Sequence, residues 1–153
     1  KSHTVYGLRG GALVTIHPDK SVVDRITTVM GVTGRQTWSA SSRLAQYSIA
    51  KIHADSESGA AWSDEKNRLT ETLQQRRDLF IKSCEKYGVP INPTHDGFFA
   101  WLEHSDAASI VEKCASNQVY LVPLNGGVRI GLCAIPTNQI ERVAKSLSEA
   151  LQE

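Results

Sequence analysis

The chain has 153 residues, 41% of them hydrophobic and 22% charged, with a formal net charge of +1. That length supports one good hydrophobic core, and the near-neutral balance gives no support for binding nucleic acid or a membrane surface through bulk charge. No apolar run approaches a membrane span, and the start lacks the basic, apolar and small-residue succession of a signal peptide.

The first apolar segment, residues 12–16, is short and β-branched and reads as a buried strand, ended by His17, Pro18 and Asp19. An apolar strand needs neighbours on both edges, so its partners are expected in residues this chain lacks. Asp19 or Ser21 then caps a helix through Val22, Val23, Ile26, Val29 and Met30, a pattern that Gly31 and Gly34 interrupt. Leu44, Tyr47, Ile49 and Ile52 have the spacing of a second helix. Residues 62–87 form the longest regular segment. Leu69, Leu73, Leu79, Phe80, Cys84 and Tyr87 make its apolar stripe, the charges from Asp64 to Arg77 read as a solvated face, and Gly88 stops it.

After a linker from Pro90 to Pro93, residues 97–102 read as a strand and residues 107–115 as a short helix capped by Asp106. Residues 119–123 and 128–135 are two further strands around a hairpin turn at Asn125, Gly126 and Gly127. Thr137 or Asn138 starts a last helix with Ile140, Val143, Ala144, Leu147 and Leu151 inward. The order predicts an α/β or α+β unit with an N-terminal arm. Cys84, Cys114 and Cys133 are odd in number and widely spaced. They read as buried, reduced core residues rather than zinc ligands, which suits a cytoplasmic protein. The histidines show no metal-ligand spacing.

Two basic landmarks could carry chemistry. Lys1 stands eight positions before Arg9, with Gly7, Gly10 and Gly11 nearby. A lysine amine can form a Schiff base with an aldehyde, and an arginine can hold a phosphate, so the pair could serve both ends of one cofactor. A terminal lysine and a surface arginine are the ordinary alternative. Arg129 sits in an apolar run, where a buried guanidinium would need an anion, and its planar fork suits a carboxylate. An edge-strand arginine facing water is the other reading. Arg35 and Arg43 flank Trp38 and Ser39, and for Arg35 a solvent-facing helix end is equally open. Phe98 and Phe99 fit plain core packing.

Residues 1–14, read as K-x7-R-x-G-A-L-V, resemble the segment of class I, fold-type-I aminotransferases that carries the Schiff-base lysine for pyridoxal 5'-phosphate (PLP). The run from Tyr120 to Ile130 resembles a second segment of that family, and residues 35–39 a third, as found in aspartate and aromatic aminotransferases. Residues 97–99 resemble the small-domain strand that brings an aromatic near the substrate. The resemblance implies that Lys1 bonds the cofactor and acts as general base, that Arg9 grips its phosphate and that Arg129 binds the substrate α-carboxylate. It implies that Arg35 reaches a side-chain carboxylate, and that Ser39 lies near the phosphate, in a neighbouring subunit.

The fold implied is the C-terminal part of a fold-type-I PLP-dependent transferase: residues 1–54 as the end of the large domain with connecting helices, and residues 55–153 as the α+β small domain. The implied activity is transamination between an amino acid, aromatic or dicarboxylic, and a 2-oxo acid. The implied partners are the protein's own N-terminal part, without which this chain is not competent, and a second copy in a homodimer. The chain departs from the family's pattern at Ala40, Ser41 and Ser42, where Asn-Pro-Pro is usual, so Arg35 and these residues argue in opposite directions on substrate. Two alternatives share the same lysine and arginines: a fold-type-I lyase or decarboxylase acting on amino acids, and a non-catalytic aminotransferase-like sensor domain of a transcription regulator.

Overall fold

The computed structural model describes residue 3, residues 5–92 and residues 94–152. The chain divides into two compact units, Lys1–Lys66 and Asn67–Glu153.

The first unit is helical. A 3-10 turn at Tyr6–Leu8 is followed by α1 (Lys20–Thr37), α2 (Arg43–Ala54) and the beginning of α3 (Ser56–Tyr87). Each start has a cap that the sequence supplies. Asp19 accepts from the Ser21 N–H at 2.8 Å, Ser42 from that of Ala45 at 3.4 Å, and Asp55 from that of Ser58 at 2.8 Å. Helix α1 continues through Gly31 and Gly34, because isolated glycines weaken a helix without ending it. Helix α3 starts six residues before the expected Trp62, at the cap that Asp55 provides.

Residues 12–16 are not a strand. They are irregular, and Leu13, Val14 and Ile16 are 73%, 74% and 91% exposed. Their β-propensity meets no strand to pair with among the described residues, and an unpaired strand forms no ladder. Ala45 is the one buried apolar residue among the described residues of this unit.

The second unit holds the core. Helix α3 ends at Gly88 (φ 68°), where the Val89 N–H bonds the Cys84 carbonyl at 2.9 Å, a left-handed helix termination that glycine favours. Strand β1 (Phe99–Glu103), α4 (Ala107–Ser116), β2 (Val122–Leu124), β3 (Gly127–Gly131) and α5 (Ile140–Gln152) follow. The sheet is antiparallel in the order β1-β3-β2. Strand β3 stops at Gly131 rather than running to Ile135, and a 3-10 turn at Leu132–Ala134 buries Leu132 instead. Arg129 is therefore on the central strand, not an edge.

Alternation along the strands sorts the two faces. Ala100 and Leu102 of β1 and Val128 and Ile130 of β3 enter a core with Phe80, Cys84, Ile110, Cys114, Ile140, Ala144 and Leu147. Each such large side chain contributes about 1.5–3 kcal/mol. Burial pushes the Cys84 thiol up to about 12, with the Glu85 charge adding to it, and raises that of Cys114. Cys133 is exposed, against expectation, because the chain has left the sheet at Gly131 before reaching it.

Candidate functional site

Lys1 lies outside the described residues. Arg9, the next landmark, adopts the left-handed conformation (φ 54°) at the end of the Tyr6–Leu8 turn, and its amide bonds the Tyr6 carbonyl at 3.2 Å. Its guanidinium lies 4.4 Å from the centre of the Tyr6 ring and is exposed. Among the described residues no carboxylate pairs with it.

Of the three glycines around Arg9, one is sterically required. A Cβ on Gly10 would stand 2.6 Å from that of Ala45, whereas Gly7 and Gly11 have nothing within 4 Å. The segment carrying Arg9 thus rests directly on α2. Arg35 and Ser39 are brought together: the arginine Nη1 donates to the serine Oγ at 3.0 Å, with Ser39 at φ 69°. His3 stacks on Trp62 at 4.9 Å, and its Nε2 is 3.1 Å from that of His53.

In the second unit the candidate site is the open face of the sheet. Trp101 and Val122 oppose Arg129 from either side, and Phe99 opposes Gly131. All of these share the face away from the core. The Arg129 guanidinium lies 4.6 Å from the centre of the Phe99 ring. It is half-buried and, among the described residues, has no carboxylate in ion-pair contact. A guanidinium over an aromatic face is attracted by the ring, and its planar fork suits a carboxylate. Gly127 has a packing reason of its own, since a Cβ there would be 2.6 Å from the Trp101 ring.

Two arginines of α3 bind the backbone at one end of the sheet. Arg77 is 2% exposed. It donates to the carbonyls of Thr94 at 3.2 Å, Gly97 at 2.5 Å and Phe99 at 3.4 Å, and to the Thr94 hydroxyl. Arg76 donates to the carbonyls of Cys133 at 2.9 Å and Leu132 at 3.4 Å. The solvated face expected from Asp64 to Arg77 therefore ends before Arg77. The spacing Leu73, Arg77, Phe80, Cys84 puts this arginine on the apolar stripe, which is the signal that marks it.

A family model described as aminotransferase class I and II matches residues 1–147. The chain belongs to the class I and II aminotransferases. An aminotransferase from Anaerococcus prevotii is 25% identical over 100% of this chain, with a TM-score of 0.89. Two further aminotransferase structures show the fold. The broad specificity aminotransferase from Leishmania mexicana is 18% identical over 100% of this chain, with a TM-score of 0.73. The cytoplasmic aspartate aminotransferase from Giardia lamblia is 20% identical over 87%, with a TM-score of 0.64. The chain spans 37%, 38% and 33% of those three proteins. No curated protein matches it. The expected fold, a C-terminal portion of a PLP-dependent transferase of α/β class, agrees with the family match and with these neighbours. Among the described residues no helix is long and apolar enough to cross a membrane.

Proposed function

We propose that this aminotransferase chain supplies the substrate-carboxylate site and the cofactor lysine of an enzyme moving an amino group between an amino acid and a 2-oxo acid. The observation that carries the reading is Arg129, held half-buried over Phe99 in a chain whose family performs this chemistry. The residues present fit PLP. Arg9 offers a cation without a described carboxylate partner, next to a glycine that must pack against Ala45, and the Ser39 hydroxyl is aligned by Arg35. Arg9 would hold the phosphate of this chain's own cofactor, Ser39 would lie near that of a neighbouring subunit, and Lys1 would bond the aldehyde. When bound, PLP supplies an aldehyde that links amines and a ring that withdraws electrons from the α-carbon.

The work of this chain is then positional and protonic. Arg129 binds the α-carboxylate, which turns the α-proton toward Lys1. Once the substrate amine has displaced it, the Lys1 Nζ would take that proton as general base and deliver it to the cofactor carbon. Arg35 sits beside Ser39 and is the candidate for a second carboxylate, so aromatic and dicarboxylic amino acids are the substrate classes to test. The exposed Leu13, Val14 and Ile16 favour cover from the protein's own N-terminal part, and residues 1–54 and 55–153 are read as the end of the large domain and the small domain. A homodimer acting in the cytoplasm completes the reading.

The test is Arg129→Lys in the full-length protein. Losing a bidentate, charge-assisted pair is worth about 1.5–3 kcal/mol. KM for both the amino acid and the 2-oxo acid should therefore rise by about tenfold or more, and unchanged values would remove Arg129 from the site.

A further inference from the structure

Arg77 is a cation buried among neutral acceptors. Among the described residues no carboxylate is in ion-pair contact with it. Its donors go instead to four oxygens, and all four belong to residues 94–99, the run that leads into β1. That run turns through Gly97 at φ 94°, a conformation that favours glycine, so its path depends on what grips it. The gripped run ends at Phe99, the residue whose ring lies against Arg129.

The register explains why this grip reaches the site. Phe99 opposes Gly131, which presents no side chain to confine the ring. A Cβ there would touch the ring at 3.9 Å. The ring follows the backbone path of its own strand and lies against the Arg129 guanidinium. The neighbouring Arg76 holds the carbonyls of Leu132 and Cys133 just past β3, and the Cys133 amide bonds the Phe98 carbonyl at 3.4 Å. Adjacent residues of one helix thus fasten both strands at the end of the sheet where Phe99 sits.

We infer that Arg77 is a positioning residue for carboxylate recognition, acting through residues 94–99 and the Phe99 ring to orient the Arg129 fork. The inference rests on the reading of Arg129 as the α-carboxylate group. Arg77 touches neither substrate nor cofactor. Loosening it weakens the preorganisation of the carboxylate site and leaves proton transfer in place, so affinity falls more than turnover.

The experiment measures the Kd of 3-phenylpropanoate, a carboxylate with no amine to react, by calorimetry on the full-length PLP-loaded protein, together with KM and kcat. The variants are Arg77→Lys, Thr94→Val, Phe99→Ala, Arg129→Lys and the double variants of the first two with Phe99→Ala. Arg77→Lys should weaken binding about fivefold and raise KM in parallel, with kcat changing less. Neither Arg77→Lys nor Thr94→Val should add to the effect of Phe99→Ala, since coupled residues are non-additive. Thr94→Val keeps the buried guanidinium and carries the same cycle if Arg77→Lys does not fold. Unchanged affinity in both single variants, or an equal loss in the presence and absence of the Phe99 ring, would overturn the inference while Arg129→Lys still weakened binding. If Arg129→Lys also left the Kd unchanged, the carboxylate reading itself would fail and take the inference with it.

Discussion

Gly10 and Arg77 show how differently single residues announce themselves. Gly10 is one of three glycines around Arg9, and nothing in composition or spacing separates it from Gly11. The difference lies in tertiary packing: Gly10 meets Ala45 of α2, and Gly11 faces open space. Gly10→Ala should therefore destabilise the protein by about 1–3 kcal/mol through overpacking, while Gly11→Ala should be close to neutral in the same thermal melt. Equal effects would contradict the packing. Arg129 was legible because a charge interrupts an apolar strand. Arg77 was not, because a charged residue in a charge-rich helix looks solvated, although its place between Leu73 and Phe80 on the stripe marks it as inward.

At the scale of elements, caps and stops were the readable features. Asp19, Asp106 and Gly88 bound their helices where local chemistry requires, since a side-chain oxygen can satisfy a free helix N–H without tertiary help. Strand limits were less readable, because a strand exists only where a partner continues it. Residues 12–16 have the composition of a strand and no partner among the described residues, and residues 132–135 continue the apolar pattern of β3 after its pairing with β1 has ended. The caps carry a pH prediction. Hydrogen bonds from Ser21 and Ser58 hold the Asp19 and Asp55 carboxyls below the usual carboxylate range. A carboxyl lowered in the folded state stabilises above its unfolded value, and that contribution is lost as pH falls through the folded value. The stability gap between the native protein and Asp55→Ala should thus be constant above about pH 5 and narrow as the pH falls below the unfolded carboxylate value of about 3.9. Urea titrations across that range would show it, and a gap independent of pH would refute the role of the carboxylate.

For the whole molecule, the family was readable from two separated segments, around Arg9 and around Arg129, whose residue types suit phosphate and carboxylate recognition. Periodicity does not mark where the two units divide, because the division falls inside one continuous helix, α3. The first unit, with Ala45 as its buried apolar residue among those described and with Leu13, Val14 and Ile16 exposed, has too little apolar burial to account for its own stability. The solved relatives extend well beyond the length matched here. In the proposed function Lys1 holds the cofactor. The decisive measurement is borohydride reduction of the PLP-treated full-length protein followed by peptide mass mapping. One dominant pyridoxyl adduct, on Lys1, is expected. Absence of PLP uptake, or label scattered over surface lysines with Lys1 unmodified, would contradict it.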